Sequence, residues 1–111
     1  MELKPDMYVR TKDGDVFILD KIEDNHLIPR YVYIPYVIIE DDVKKTSHNI
    51  IDLIEVGDYV NGYKITTIND MSPVIYAEDK QGYLIEIITK ENIKSIVTKE
   101  QFESMSYKVG D

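Results

Sequence analysis

The chain has 111 residues, room for one domain or two very small ones. It contains no cysteine, which excludes disulfides, thiolate metal sites and cysteine nucleophiles. Its formal charge of −8 comes from 21 acidic and 13 basic residues; a field of that sign repels nucleic acid and keeps a small protein soluble.

The acidity is spread along the chain. Residues 1–55 hold 12 acids and 7 bases, and residues 56–111 hold 9 and 6. The opening MELKPDMYVR has no apolar run of the signal-peptide kind. The longest apolar run, Tyr31 to Ile39, is interrupted by Pro35 and is far short of the ~20 residues that span a bilayer. The expectation is a soluble cytoplasmic protein with no membrane partner.

In chain order, Met7 to Thr11 reads as a first strand, Thr11-Lys12-Asp13-Gly14 as a turn, and Asp15 to Ile22 as the return strand. Glu23 to His26 is a polar loop and Pro29 punctuates it. Tyr31-Val32-Tyr33-Ile34 alternates aromatic with aliphatic, the pattern of a strand with two different faces. Pro35 marks an edge, a bulge or a break, and Tyr36 to Glu40 continues as a strand. Asp41 to Ser47 reads as a polar loop. His48 to Ile54 fits either a single helical turn capped by Ser47 or a short buried strand, the strand being preferred.

Val56-Gly57-Asp58 bends into the clearest folding instruction in the chain. Asn61-Gly62 between Tyr59-Val60 and Tyr63-Lys64-Ile65 is the signal for a type I′ hairpin turn, which needs positive φ at both central residues. Asn69 to Pro73 is a turn cluster, Val74 to Ala77 a strand, Asp79 to Gly82 a second hairpin turn and Tyr83 to Thr89 its return. Lys90 to Asn92 leads to Ile93–Val97. Thr98 and Gln101 stand at capping-box spacing and predict a short helix, and Ser106 to Val109 reads as a last edge strand. Tyr8-Val9 with Asp13-Gly14 echoes Tyr59-Val60 with Asn61-Gly62, a weak internal repeat at roughly half the chain length.

Short strands separated by glycine-bearing turns predict an all-β protein with one short C-terminal helix, near residues 99–104. The arrangement expected is an SH3-like small barrel or barrels. Either two packed units divide the chain, 1–46 and 47–111, or one domain spans 1–111. Two units of this size would share an apolar interface, beginning with Ile34, Val37, Ile39, Ile51 and Leu53.

Chemistry is sparse. His26 and His48 lie in polar segments outside any ligand pattern. Asp13-Gly14-Asp15 resembles the start of a calcium loop, but the twelfth position is Asp24 and the intervening run is strand-like. The five glycines are scattered singly, and no phosphate-cradling loop or nucleophile elbow occurs. No enzyme, cofactor or metal is expected. Tyrosine is the unusual feature, nine against two phenylalanines. Tyr31, Tyr33 and Tyr36 beside Glu40, Asp41 and Asp42, with Asp13, Asp15 and Asp24, make the candidate surface for a partner with basic character.

SHNIIDLIEVGDYVNGYKI, IKSIVTKEQFESMSYKVG and the opening KPDMYVRTKDGD resemble a family of small uncharacterised proteins from phages and prophages of low-GC Gram-positive bacteria. The resemblance spans most of the chain outside Glu23 to Lys45. It implies a phage-borne accessory role in the host cytoplasm and carries no catalytic residues. The function expected is therefore a non-enzymatic protein, monomeric or homodimeric, that docks on a host protein. A sharper version is an acidic, anti-CRISPR-like inhibitor of a nucleic-acid-dependent defence nuclease. Carboxylates two apart on a strand repeat every ~6.7 Å, close to two steps of ~3.4 Å along a DNA strand. The alternatives are a small-barrel nucleic-acid-binding or regulatory module, disfavoured because Lys44-Lys45 is the only adjacent basic pair, and a structural or virion accessory protein.

Overall fold

The computed structural model describes residues 2–69, 74–78, 81, 83–89 and 91–105. It is mainly β, with two antiparallel sheets of four and five strands and one short helix near the C-terminus. The chain divides into two compact units, Met1–Leu53 and Ile54–Asp111.

In the first unit β1 (Tyr8–Thr11), β2 (Val16–Glu23), β3 (His26–Arg30) and β4 (Val43–Ser47) form a sheet in the order β3-β2-β1-β4. The β1–β2 turn closes as predicted. Gly14 sits at φ 93° and donates to the Thr11 carbonyl at 3.0 Å, while the Thr11 hydroxyl accepts the Asp15 N–H. Val9, Phe17, Leu19, Leu27, Ile38 and Val43 form the buried core, with Leu3 and Ile34 against it. Arg10 is also fully buried and donates from Nη1 to the Leu53 carbonyl at 2.8 Å.

In the second unit β5 (Tyr59–Val60), β6 (Tyr63–Asn69), β7 (Val74–Glu78), β8 (Leu84–Ile88) and β9 (Ile96–Val97) form a sheet in the order β8-β7-β6-β5-β9. Asn61 and Gly62 take φ of 54° and 85°, as the hairpin turn requires. α1 (Lys99–Met105) begins with the predicted capping box: the Thr98 hydroxyl accepts the Gln101 N–H and the Gln101 side chain accepts the Thr98 N–H.

The two units share an entry motif. In the first, Asp6 N–H donates to the Leu19 carbonyl, Met7 N–H to the Lys4 carbonyl and Leu19 N–H to the Met7 carbonyl. In the second, Gly57, Asp58 and Ile65 make the same three bonds to Ile65, Glu55 and Asp58. Asp6 and Gly57 both have positive φ, 73° and 99°. An added Cβ at Gly57 would meet only an ordinary contact, 3.5 Å to Lys99, so it is the dihedral that calls for glycine there.

Five predicted segments differ in the structure. Tyr31–Ile34 and Tyr36–Glu40 are not strands: Tyr31 turns the chain at φ 70°, Pro35 lacks a donor, and a 3-10 turn follows at Glu40–Asp42. The polar-looking Val43–Ser47 is a strand because it pairs along β1, with Val9 opposite Thr46 and a bulge between Arg10 and Thr11. β2 continues to Glu23, Asp24 and Asn25 make a two-residue turn with φ of 50° and 64°, and β3 follows despite Pro29. His48–Ile54 contains a 3-10 turn at Ile50–Leu53, started by Ser47 and Asn49 side chains that accept the N–H groups of Asn49 and Ile51. The chain thus divides after Leu53 instead of after residue 46, since β4 pairs with β1 and the Leu53 carbonyl serves Arg10. Of the remaining predicted segments, the turn cluster after Asn69, most of the Asp79–Gly82 turn and Ser106–Val109 lie outside the described residues.

Candidate partner-binding surface

The candidate surface is built on the first unit. β3 ends at Arg30, whose guanidinium binds Asp6 at 2.6 Å and Asp20 at 3.1 Å. These hydrogen bonds, the one to Asp6 first, push the arginine pKa further up; the guanidinium at the base of the following loop is charged in any case. The chain then leaves the sheet. Tyr31 and Tyr33 are 90% and 88% exposed, and Val32, Tyr36 and Val37 are exposed as well. Five of seven consecutive residues therefore hold apolar surface in water, where burial against a partner would gain about 25 cal/mol per Å². Neither Tyr31 nor Tyr33 makes a hydrogen bond or ring contact among the described residues.

Ile38 returns the chain to the core, and its carbonyl accepts the Leu27 N–H at 2.8 Å. The 3-10 turn then presents Glu40 and Asp41 to solvent, while Asp42 turns back and accepts the Ile39 N–H at 2.9 Å. Asp42 also anchors its neighbour: Lys12 N–H donates to the Asp42 carbonyl at 2.8 Å. The β1–β2 turn that carries exposed Asp13 and half-buried Asp15 is thereby held beside the Glu40–Asp42 turn. Asp24 lies at the other end of β2, exposed in the β2–β3 turn. Its neighbour Asn25 lines a groove of about 270 Å³ together with Leu3, Ile22, Leu27, Ile39, Glu40 and Asp41.

Of the expected site residues, the structure sets the Glu40–Asp42 turn beside the turn that bears Asp13 and Asp15, through the Lys12–Asp42 bond, whereas Asp24 lies at the opposite end of β2, next to Asn25 of the groove. Tyr31, Tyr33 and Tyr36 lie on the adjoining loop. The carboxylates of Asp13, Asp24, Glu40 and Asp41 take part in no hydrogen bond or ion pair among the described residues. Sequence reasoning missed the apolar members Leu3, Ile22 and Ile39, which line the groove, and the exposure of Val32 and Val37. The signal for the last two was the proline-flanked apolar run itself. His26 and His48 are exposed, and no group of three or more His, Asp or Glu residues able to hold a metal occurs among the described residues.

In comparisons with known proteins no family model matches the chain, and neither a curated protein nor a solved structure matches it. Within the described residues no helix is long and apolar enough to cross a membrane.

Proposed function

We propose that this chain is a non-enzymatic binding protein, encoded by a phage or prophage, that docks on a basic surface of a host protein. The observation that carries the reading is two almost fully exposed tyrosines, Tyr31 and Tyr33, followed seven to ten residues on by the exposed carboxylates Glu40 and Asp41. An aromatic centre with a charged rim is the composition of a protein-binding patch. Phage origin rests on the resemblance of the SHNIIDLIEVGDYVNGYKI and IKSIVTKEQFESMSYKVG segments. An SH3-like barrel is the proposed form of each unit: a β-hairpin extended by a third strand, a long connection, a strand back beside the first, and a helical turn.

The sharper form is an acidic inhibitor that occupies the nucleic-acid channel of a host defence nuclease. The net charge of −8 and the exposed Asp13, Asp24, Glu40 and Asp41 support it. A nucleic-acid-binding role is opposed by the one adjacent basic pair: Lys44 and Lys45 lie in β4 and already interact with other groups of the protein.

Affinity capture from host lysate tests the proposal. At about 50 mM salt a basic protein should be recovered, and at about 500 mM it should be lost, because exposed charge pairs are screened over a few ångströms at high ionic strength. Recovery of nothing at low salt would contradict it.

A further inference from the structure

The second unit contains a strand that the first lacks. β8 lies on the outer edge of β7, with Ile75 opposite Ile88, Tyr76 opposite Ile87 and Ala77 opposite Glu86. β7 in turn corresponds to β3, each being the strand outside the hairpin. Ile68 pairs with Ile75 as Ile22 pairs with Leu27, and Ile65 with Ala77 as Leu19 with Pro29. The bulge falls at the same place in both, between Leu19 and Lys21 and between Ile65 and Thr67.

At the outer edge of β3 one main-chain bond occupies the place of β8, from Leu27 N–H to the Ile38 carbonyl. Ile38 therefore stands opposite Leu27 as Ile88 stands opposite Ile75. That is an offset of 50 residues (88 − 38), and it persists downstream: Thr46 faces Val9 as Ile96 faces Val60. Counted back at the same offset, Tyr33-Ile34-Pro35-Tyr36-Val37-Ile38 aligns without a gap on Tyr83-Leu84-Ile85-Glu86-Ile87-Ile88. The loop thus has the sequence of a strand, which is why its alternation looks like one.

Two prolines explain why it is not one. Pro29 stands where Ala77 pairs with Glu86. Alternation along β3 turns its nitrogen to the same edge as that of Leu27, and proline has no N–H to donate. Pro35 falls on Ile85, which the β7–β8 register passes over between Leu84 and Glu86, so it contributes a fixed φ and not a lost ladder bond, and the positive φ of Tyr31 leads the chain away from β3.

We infer that the two units are copies of one β unit, and that Pro29 and Pro35 hold the fourth strand of the first copy off its sheet. Residues 31–37 are thereby kept available as a docking loop for a protein cleft that accepts aromatic rings and is rimmed by Lys or Arg, the complement of Glu40 and Asp41. The docking role rests on the function proposed above; the displaced strand rests on the register alone.

Amide hydrogen exchange on the full chain, read by NMR, tests the displacement. Wild-type amides of residues 32–34, 36 and 37 should exchange at least about 100-fold faster than those of 84–88. Pro29→Ala/Pro35→Ile, which copies the residues of the second unit, should slow the amides of 34, 36 and 37 at least about tenfold relative to the wild type. Equal protection of the two sets of amides in the wild type would overturn the inference. So would unchanged exchange in the variant while Val9 and Leu19 stay protected. Should the double variant not fold, Pro29→Ala alone is read against the same outcomes. No partner is needed, so this result and the failure of the docking role are separately visible.

Discussion

Asp58 accepts the Lys99 N–H at 2.9 Å and ties the first turn of α1 to the strand that enters the second sheet. Its other carboxylate oxygen accepts the Glu55 N–H at 2.7 Å, and the side chain is fully buried. Lys99 completes the link with an ion pair to Glu55 at 2.9 Å. Asp58→Ala leaves two amides without their acceptor and is expected to cost about 2–4 kcal/mol. Asp58→Asn retains one acceptor oxygen and should recover about half of that. Chemical denaturation of the two variants measures both, and equal losses would argue that packing, not hydrogen bonding, dominates.

Asn61 has two separable roles. It accepts positive φ in the turn, and its side chain binds the 92–95 connection through Asn92 O at 2.7 Å, Lys94 N at 2.7 Å and Ser95 N at 3.2 Å. Asn61→Gly keeps the turn and removes only the side-chain bonds, at about 1–2 kcal/mol. Asn61→Ala loses both and should cost about 1 kcal/mol more. Identical stabilities for the two variants would show that the turn conformation contributes nothing measurable.

Arg10 is fully buried, and its Nη1 binds the Leu53 carbonyl. Arg10→Ala removes a large side chain from the interior and leaves that carbonyl without this donor. A loss of about 3 kcal/mol or more is expected. The readout is the urea midpoint, and a loss below about 1 kcal/mol would contradict a structural role for the buried guanidinium.

Tyr31 and Tyr33 should behave in the opposite way. Because both side chains are nearly fully exposed, Tyr31→Ser/Tyr33→Ser should change stability by no more than about 0.5 kcal/mol per site. A larger loss, seen in the same denaturation assay, would mean that the rings pack against the protein.

Much of the second unit was legible from the chain because its instructions are local. Asn61-Gly62 dictates its own turn, and Thr98 with Gln101 its own helix start. The first unit hides more. Val43–Ser47 reads as a loop because four of its five residues are polar, and only its pairing with β1 reveals a strand. Conversely, Tyr31–Val37 has strand periodicity without a strand, since the missing donor of Pro29 is felt only across a ladder. The candidate site shared this division. The tyrosines and acids were visible as residue types, but their assembly depends on the Lys12–Asp42 bond and on the groove between Ile22 and Ile39, which no local pattern encodes.

The most direct measurement compares capture of host proteins by the wild type and by Tyr31→Ser/Tyr33→Ser, both folded, at low salt. One basic partner should be recovered, with recovery at least about tenfold lower for the variant, as loss of aromatic anchors at an interface centre gives. Equal recovery by the two proteins would contradict it.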